Sequence, residues 1–142
     1  LPNGLKFVPL ICYEAIFSNF LKPSVKNADF ILQITNDAWF GKSIGPQQHL
    51  AQLRIRAIEY GLPVIRVANT GISAIIDANG KVIKNLSVNK SGYLDSFIPS
   101  RKHTTIYGKF GDLIFLSLVL LTLVIAFLNK KFINQKSFKA AQ

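Results

Sequence analysis

Apolar positions in this chain fall into short runs for most of its length and into one long block near its end, and the two patterns predict different structures. Lys6 to Cys12 reads as a strand ending at the thiol, with Pro9 as a flaw that points to an edge position or a bulge. From Tyr13 to Lys22, Ile16, Phe17, Phe20 and Leu21 follow helical spacing, and Pro23 ends or interrupts that helix. Asp29 to Thr35 is a second strand, continuous enough in apolar residues to be largely buried. Asn36 to Pro46 is a polar, glycine-containing loop that nevertheless carries Trp39 and Phe40. Pro46 suits the first turn of the next helix, whose stripe is Leu50, Leu53, Ala57 and Ile58, with Arg54 and Arg56 off its centre. Gly61 caps that helix and Pro63 prevents its continuation. Pro63 to Ala68 and Ser73 to Asp77 are further strands, and Asn79-Gly80 turns the second of them into Lys81 to Leu86. Gly92 to Pro99 is expected to be one more strand. Strand, helix, strand, helix, strand and hairpin in that order make an α/β layered domain.

The long block is different in kind. Leu113 to Leu128 is sixteen residues without a charge or a proline, interrupted only by Ser117 and Thr122. A membrane-spanning helix needs about twenty residues, and Phe110, Gly111 and the stretch after Asn129 extend the block. A helix apolar on every side has too little protein to hide in within a domain this small, so a transmembrane helix is expected rather than a core helix.

Composition refines the reading at two points. The net charge of +10 invites an anionic partner. The clearest cationic group, however, is Lys130, Lys131, Lys136 and Lys139 directly after the apolar block, which fits lipid headgroups better than nucleic acid. No nucleic-acid-binding motif accompanies the charge, so no nucleic-acid partner is expected. The lysine-rich end weakly favours a cytoplasmic tail, with the globular part on the outer face. The chain also contains no methionine, and no secretory signal stands at its amino end.

Cys12, the one cysteine, is a buried filler, a reactive group or half of an intermolecular bridge. Its position where a strand runs into a helix would suit chemistry, although a buried structural cysteine after an apolar strand is the stronger reading of the spacing alone. Unpaired N–H groups and the positive helix end stabilise a thiolate and the oxyanion of a tetrahedral intermediate. A nucleophile also needs a base. His49 and His103 are the candidates, but neither spacing is informative and a structural or surface role is the stronger reading of each. Glu14 lies two residues after Cys12, a spacing that does not place the two face to face. A nucleophile without a convincing base leads us to expect a piece of a longer enzyme. No metal site is expected, because two histidines, one cysteine and scattered carboxylates lack ligand spacing. No glycine-rich phosphate motif is present and no cofactor is expected.

Ile11-Cys12-Tyr13-Glu14 resembles the nucleophile motif of the nitrilase-like carbon–nitrogen hydrolase superfamily. The run Asn36-Asp37-Ala38-Trp39-Phe40-Gly41, then Gly45-Pro46 and Gln48-His49, is similar to one branch of it, the apolipoprotein N-acyltransferases. Arg66, Ala68-Asn69-Thr70-Gly71, Ile75-Ile76-Asp77 and Gly80 continue the likeness up to the final apolar block. The resemblance implies an α-β-β-α sandwich, present here in part, followed by one C-terminal transmembrane helix. It implies a cysteine that takes an acyl chain from a phospholipid as a thioester and passes it to the amino-terminal amine of a lipid-modified apolipoprotein. It implies a bacterial inner membrane, with the catalytic domain on its periplasmic face. Of the Glu-Lys-Cys triad of that branch only the cysteine matches a position here, Cys12. The glutamate and lysine are expected in a missing amino-terminal half, and the fragment alone is expected to be inactive.

The expected sites are Cys12 as nucleophile, the backbone N–H of Tyr13 as oxyanion donor, Glu14 in support, and Trp39 and Phe40 as contacts to the acyl chain. Core packing of the Trp39-Phe40 loop is an equal alternative, and for Asn69 and Thr70 turn formation is at least as strong a reading as a site role. The expected organisation is residues 1–106 as part of the catalytic domain, 107–129 as the membrane helix with its flank, and 130–142 as a basic tail. Competing readings are a membrane-tethered nitrilase-like amidase, in which water replaces the lipoprotein amine, and an inactive remnant.

Overall fold

The computed structural model of the chain describes residues 1–2, 4–102 and 104–139. His103, one of the two candidate bases, lies outside the described residues. Two compact units are present, Leu1–Lys109 and Phe110–Gln142.

The first unit is built on a five-stranded sheet in the order β1-β2-β3-β4-β5. Its strands are β1 (Phe7–Ile11), β2 (Phe30–Asn36), β3 (Val64–Asn69), β4 (Ser73–Ile76) and β5 (Val82–Leu86). The first three are parallel, and β4 and β5 then add antiparallel. Pro9 sits on β1, an edge of the sheet, where a missing N–H costs no ladder bond on the outer side. The crossovers between the parallel strands are α1 (Ser18–Val25) and α2 (Gly45–Tyr60). Strand alternation places Val8, Leu10, Ile31, Val64, Ala74 and Ile76 in one core with Leu21 and Val25 of α1 and Leu53, Ala57 and Tyr60 of α2. Burying a side chain such as Leu21, Ile31 or Leu53 completely is worth about 1.5–3 kcal/mol. The other face of the sheet leaves Ile11, Ile34 and Val67 more than half exposed.

Several expectations hold. The Asn79-Gly80 turn closes the β4–β5 hairpin, with the Gly80 N–H bonded to the Asp77 carbonyl at a φ of 75° that suits glycine. Gly61 ends α2 in the left-handed conformation, its N–H on the Ala57 carbonyl. Others are corrected. The helix expected from Tyr13 to Lys22 is split into a 3-10 turn, Cys12–Ile16, and α1, because Phe17 between them is extended. Pro23 lies inside α1 in its second turn rather than ending it. From His49 onward the buried positions of α2 are His49, Leu53, Arg56, Ala57 and Tyr60, whereas Ile58 is half exposed. The core stripe is rotated from the expected one: His49 meets Gln33 of β2 and Asp37 just after it, and Arg56 is buried. Arg56 is paired with Glu59 at 2.8 Å. Gly92 to Pro99 forms no strand: its exposed residues, Phe97 among them, have no ladder partner.

The second unit is dominated by α4 (Leu113–Lys139), preceded by α3 (Ile106–Phe110), which straddles the boundary. Residues Leu113–Lys130 of α4 form an 18-residue stretch long and apolar enough to cross a membrane, with none of it buried against protein. The helix continues through the lysines where the sequence reading begins a tail.

Candidate active site

The carboxy ends of the three parallel strands lie along one edge of the sheet, the usual location for a site in an α/β sheet. Cys12 follows β1, Asp37 follows β2 and Thr70 follows β3. Asn36 and Asn69 are register partners at that edge, and the Asn36 Oδ1 accepts from both the Ala38 N–H and the Asn69 side-chain amide.

Cys12 is exposed, which removes the buried-filler reading. Its φ is +50°, a left-handed conformation that costs a non-glycine residue roughly 1–3 kcal/mol. Such strain persists only where the surroundings hold it, and three bonds do so. The Glu14 carboxylate accepts the Ile11 N–H at 2.7 Å, the Phe17 N–H closes onto the Glu14 carbonyl at 3.1 Å, and the Gln33 side chain donates to the Cys12 carbonyl at 2.9 Å. Glu14 therefore grips the backbone of the Cys12 turn on both sides, at Ile11 and at Phe17. The helix start behind Cys12 is one short 3-10 turn, so its dipole is weaker than that of the α-helix expected there.

Behind the turn lies a cluster that sequence reasoning missed. Gln33, Asp37, His49 and Arg66 are all buried. Gln33 and Arg66 occupy one row across the sheet, flanked by Leu10 and Ala74. Arg66 spends its three nitrogens on three partners: Nε on the Ile72 carbonyl at 3.0 Å, one terminal nitrogen on Gln33 Oε1, and the other on Asp37 Oδ2 at 2.6 Å. Asp37 Oδ1 accepts from His49 Nδ1 at 2.9 Å and from the Thr35 hydroxyl at 3.3 Å. The Asp37 contact assigns the ring hydrogen to Nδ1, leaving Nε2 as an acceptor for the Gln33 amide at 3.2 Å. Burial, and then the Arg66 charge, push the His49 pKa below its ordinary value, against the pull of Asp37. Both ring nitrogens have partners within the cluster, Asp37 on one side and Gln33 on the other.

The aromatic residues divide. Tyr13 and Phe40 cover the His49 ring, with centroids 5.1 and 5.8 Å from it, and lie 6.3 Å from each other. Phe40 also abuts Gly45, leaving no room for a side chain there. Trp39 is 88% exposed, so core packing does not account for it. The expected loop is tighter than the sequence implies, since Asp37–Phe40 forms a 3-10 turn capped by Asn36. Thr70 sits in a left-handed turn, and Gly71 is pressed against the Asp37 carboxylate so closely that a Cβ would collide with it. Glycine-flanked polar motifs were visible in the sequence; that Asp37, His49, Gln33 and Arg66 converge was not.

The carbon-nitrogen hydrolase family profile matches residues 1–103. The chain belongs to the carbon-nitrogen hydrolase family. The apolipoprotein N-acyltransferase of Rickettsia bellii (strain RML369-C) is 52% identical over 117 residues, which are 82% of this chain and 23% of that protein. The protein of the same name from Rhizobium rhizogenes (strain K84 / ATCC BAA-868) is 55% identical over 96 residues, 68% of this chain and 18% of its own length. The chain thus spans only about a fifth of the curated relatives it matches. Among solved structures, a carbon-nitrogen hydrolase from Helicobacter pylori G27 matches with a TM-score of 0.55 at 14% identity, over 61% of this chain and 38% of that one. An amidase from Nesterenkonia sp. matches with a TM-score of 0.51 at 21% identity, over 61% and 35%. The expected fold class is borne out: a mixed α/β sheet of carbon-nitrogen hydrolase type, followed by one helix apolar enough to span a membrane.

Proposed function

We propose that this chain is the nucleophile-bearing, carboxy-terminal part of an apolipoprotein N-acyltransferase. The observation that carries the reading is identity of about half to curated relatives of that name, over most of this chain. In the proposed reaction the Cys12 thiolate attacks the ester carbonyl of a phospholipid. The carbonyl oxygen takes the negative charge and the backbone N–H of Tyr13 donates to it. Collapse expels the lysophospholipid alkoxide, which takes up a proton, and leaves an acyl thioester on Cys12. The amino-terminal amine of a lipid-modified apolipoprotein then attacks the thioester, forms the amide, loses a proton and releases the thiol.

Glu14 supports the turn through its bond to the Ile11 N–H. Trp39, exposed on the rim, and Phe40, beside Tyr13, suit an apolar acyl chain. The general-base glutamate and the lysine are supplied from outside these 142 residues, and the exposed Ile11, Ile34 and Val67 face offers a seat for a second sheet of the sandwich. Residues 1–106 serve as the carboxy-terminal part of the catalytic domain, 107–129 as its membrane helix with flank, and 130–142 as a basic tail. The protein would reside in the bacterial inner membrane, with the catalytic domain periplasmic and the tail cytoplasmic.

The test uses the longer enzyme that contains this chain and a phospholipid labelled in its acyl chains. A hydroxylamine-sensitive acyl adduct is expected on the wild-type protein and not on Cys12→Ser, which should keep the wild-type melting temperature. An adduct that persists in the serine variant would overturn the assignment of the nucleophile.

A further inference from the structure

Gln33 stands in the second strand, fully buried beneath the turn that carries Cys12, in a row that runs from Leu10 through Gln33, Arg66 and Ala74 to Asn85. A primary amide in such a place costs stability unless its hydrogen-bonding groups are met. Here its oxygen and both amide hydrogens are met. Oε1 accepts from Arg66, and Nε2 has His49 Nε2 at 3.2 Å and the Cys12 carbonyl at 2.9 Å. A flip of the amide would turn its NH2 toward the guanidinium and its oxygen toward two acceptors, so all three contacts would become repulsive. Orientation is thus imposed from two sides, by Arg66 directly and by His49, which Asp37 holds in the acceptor tautomer. From this cluster the Gln33 amide sends one bond to the nucleophile residue itself.

We infer that Gln33 is a positioning residue for Cys12. By donating to the Cys12 carbonyl it holds the left-handed backbone that aims the thiol, and the Arg66–Asp37–His49 chain exists to keep its amide facing that way. The inference rests on the reading of Cys12 as a nucleophile, but not on which donor or acceptor the enzyme uses. It also gives the Asn36–Gly41 motif a role at a distance, because Asp37 acts on the thiol through two intervening side chains. A misplacement on the order of 1 Å at a reacting group costs about a hundredfold in rate, so loss of one of three tethers is expected to show.

The experiment follows acylation of the longer enzyme by a small activated ester, p-nitrophenyl butyrate, as a nitrophenolate burst. The burst rate constant is taken from the plateau of each protein's pH profile. Gln33→Glu keeps a partner for Arg66 but has no N–H for the Cys12 carbonyl. Its burst rate constant is expected to fall about tenfold or more, with the KM for the ester within about twofold and the fold intact by circular dichroism. His49→Phe preserves ring packing under Tyr13 and Phe40 but releases the second amide hydrogen of Gln33, and a smaller, several-fold fall is expected. An unchanged burst in folded Gln33→Glu overturns the inference; if that variant does not fold, an unchanged burst in His49→Phe does so. A burst that survives Cys12→Ala removes the nucleophile reading and the inference with it. A normal Cys12-dependent burst without transfer to a lipoprotein amine removes only the proposed acceptor.

Discussion

His49 Nδ1 lies 2.9 Å from Asp37 Oδ1, and both side chains are almost completely shielded from solvent. A buried histidine beside a carboxylate invites comparison with a catalytic pair, but Arg66 alters the balance. Its guanidinium neutralises Asp37 from the other side at 2.6 Å and lies 3.3 Å from the histidine nitrogen itself. Burial, and then this guanidinium, hold the imidazole pKa below its ordinary value, and its Nε2 serves as an acceptor for Gln33.

Acid should therefore weaken the fold through His49. Its folded pKa lies below the ordinary 6.5, owing to burial and then to Arg66. Between that folded value and 6.5 the unfolded chain binds the proton and the folded chain does not, so stability is fully present above 6.5 and is lost as pH falls through this window. Asp77 belongs to a lower window. Burial raises its pKa, but the N–H groups of Lys81 and Asn79 outweigh that and bring it below 3.8. Melting temperature followed from neutral pH downward should drop first in the histidine window. His49→Phe should flatten that first drop and leave the second in place.

Arg66→Met should cost about 3–5 kcal/mol, because it strands the buried Asp37 charge. Adding Asp37→Asn should restore part of the loss by removing the charge. Arg66→Lys should fail to rescue, since one ammonium does not reproduce a three-way fork to Ile72, Gln33 and Asp37. Denaturant titration of the three variants distinguishes lost charge pairing from lost packing.

Gly71→Ala should destabilise by about 1–3 kcal/mol through overpacking, because the new Cβ would meet the Asp37 carboxylate. The same change at exposed Gly41 meets open space, and only its positive φ of 56° opposes it. Comparing the two by thermal unfolding separates a steric requirement for glycine from a conformational one.

Trp39→Ala should change stability by no more than about 0.5 kcal/mol, as expected for so exposed a side chain. If the indole meets the acyl donor as proposed, KM for a long-chain phospholipid should rise while a short, soluble ester is handled as before. A large fall in melting temperature would instead assign Trp39 a packing role.

Periodicity and punctuation alone determined much about this protein. The strands of the sheet, the Asn79-Gly80 hairpin, the Gly61 cap and the apolar final helix were all legible, since each depends on local spacing or on one residue's backbone preference. The Cys-Tyr-Glu and Asn-Asp-Ala-Trp-Phe-Gly runs also pointed to the family, and Cys12 to the end of a strand. Where Tyr13 to Lys22 breaks, and that Pro23 is accommodated inside α1, depended on how the turn after Cys12 is tied to Glu14 and Gln33. The inward rotation of α2 was likewise decided by tertiary contacts, because His49 faces the sheet to meet Asp37 and Gln33 and Arg56 is buried with its Glu59 partner. Gln33 lies within a strand that reads as apolar and largely buried, and Arg66 entered only as part of the family likeness. Parallel pairing in register puts them side by side, and only at that distance do an amide, a guanidinium, a carboxylate and an imidazole satisfy one another out of water.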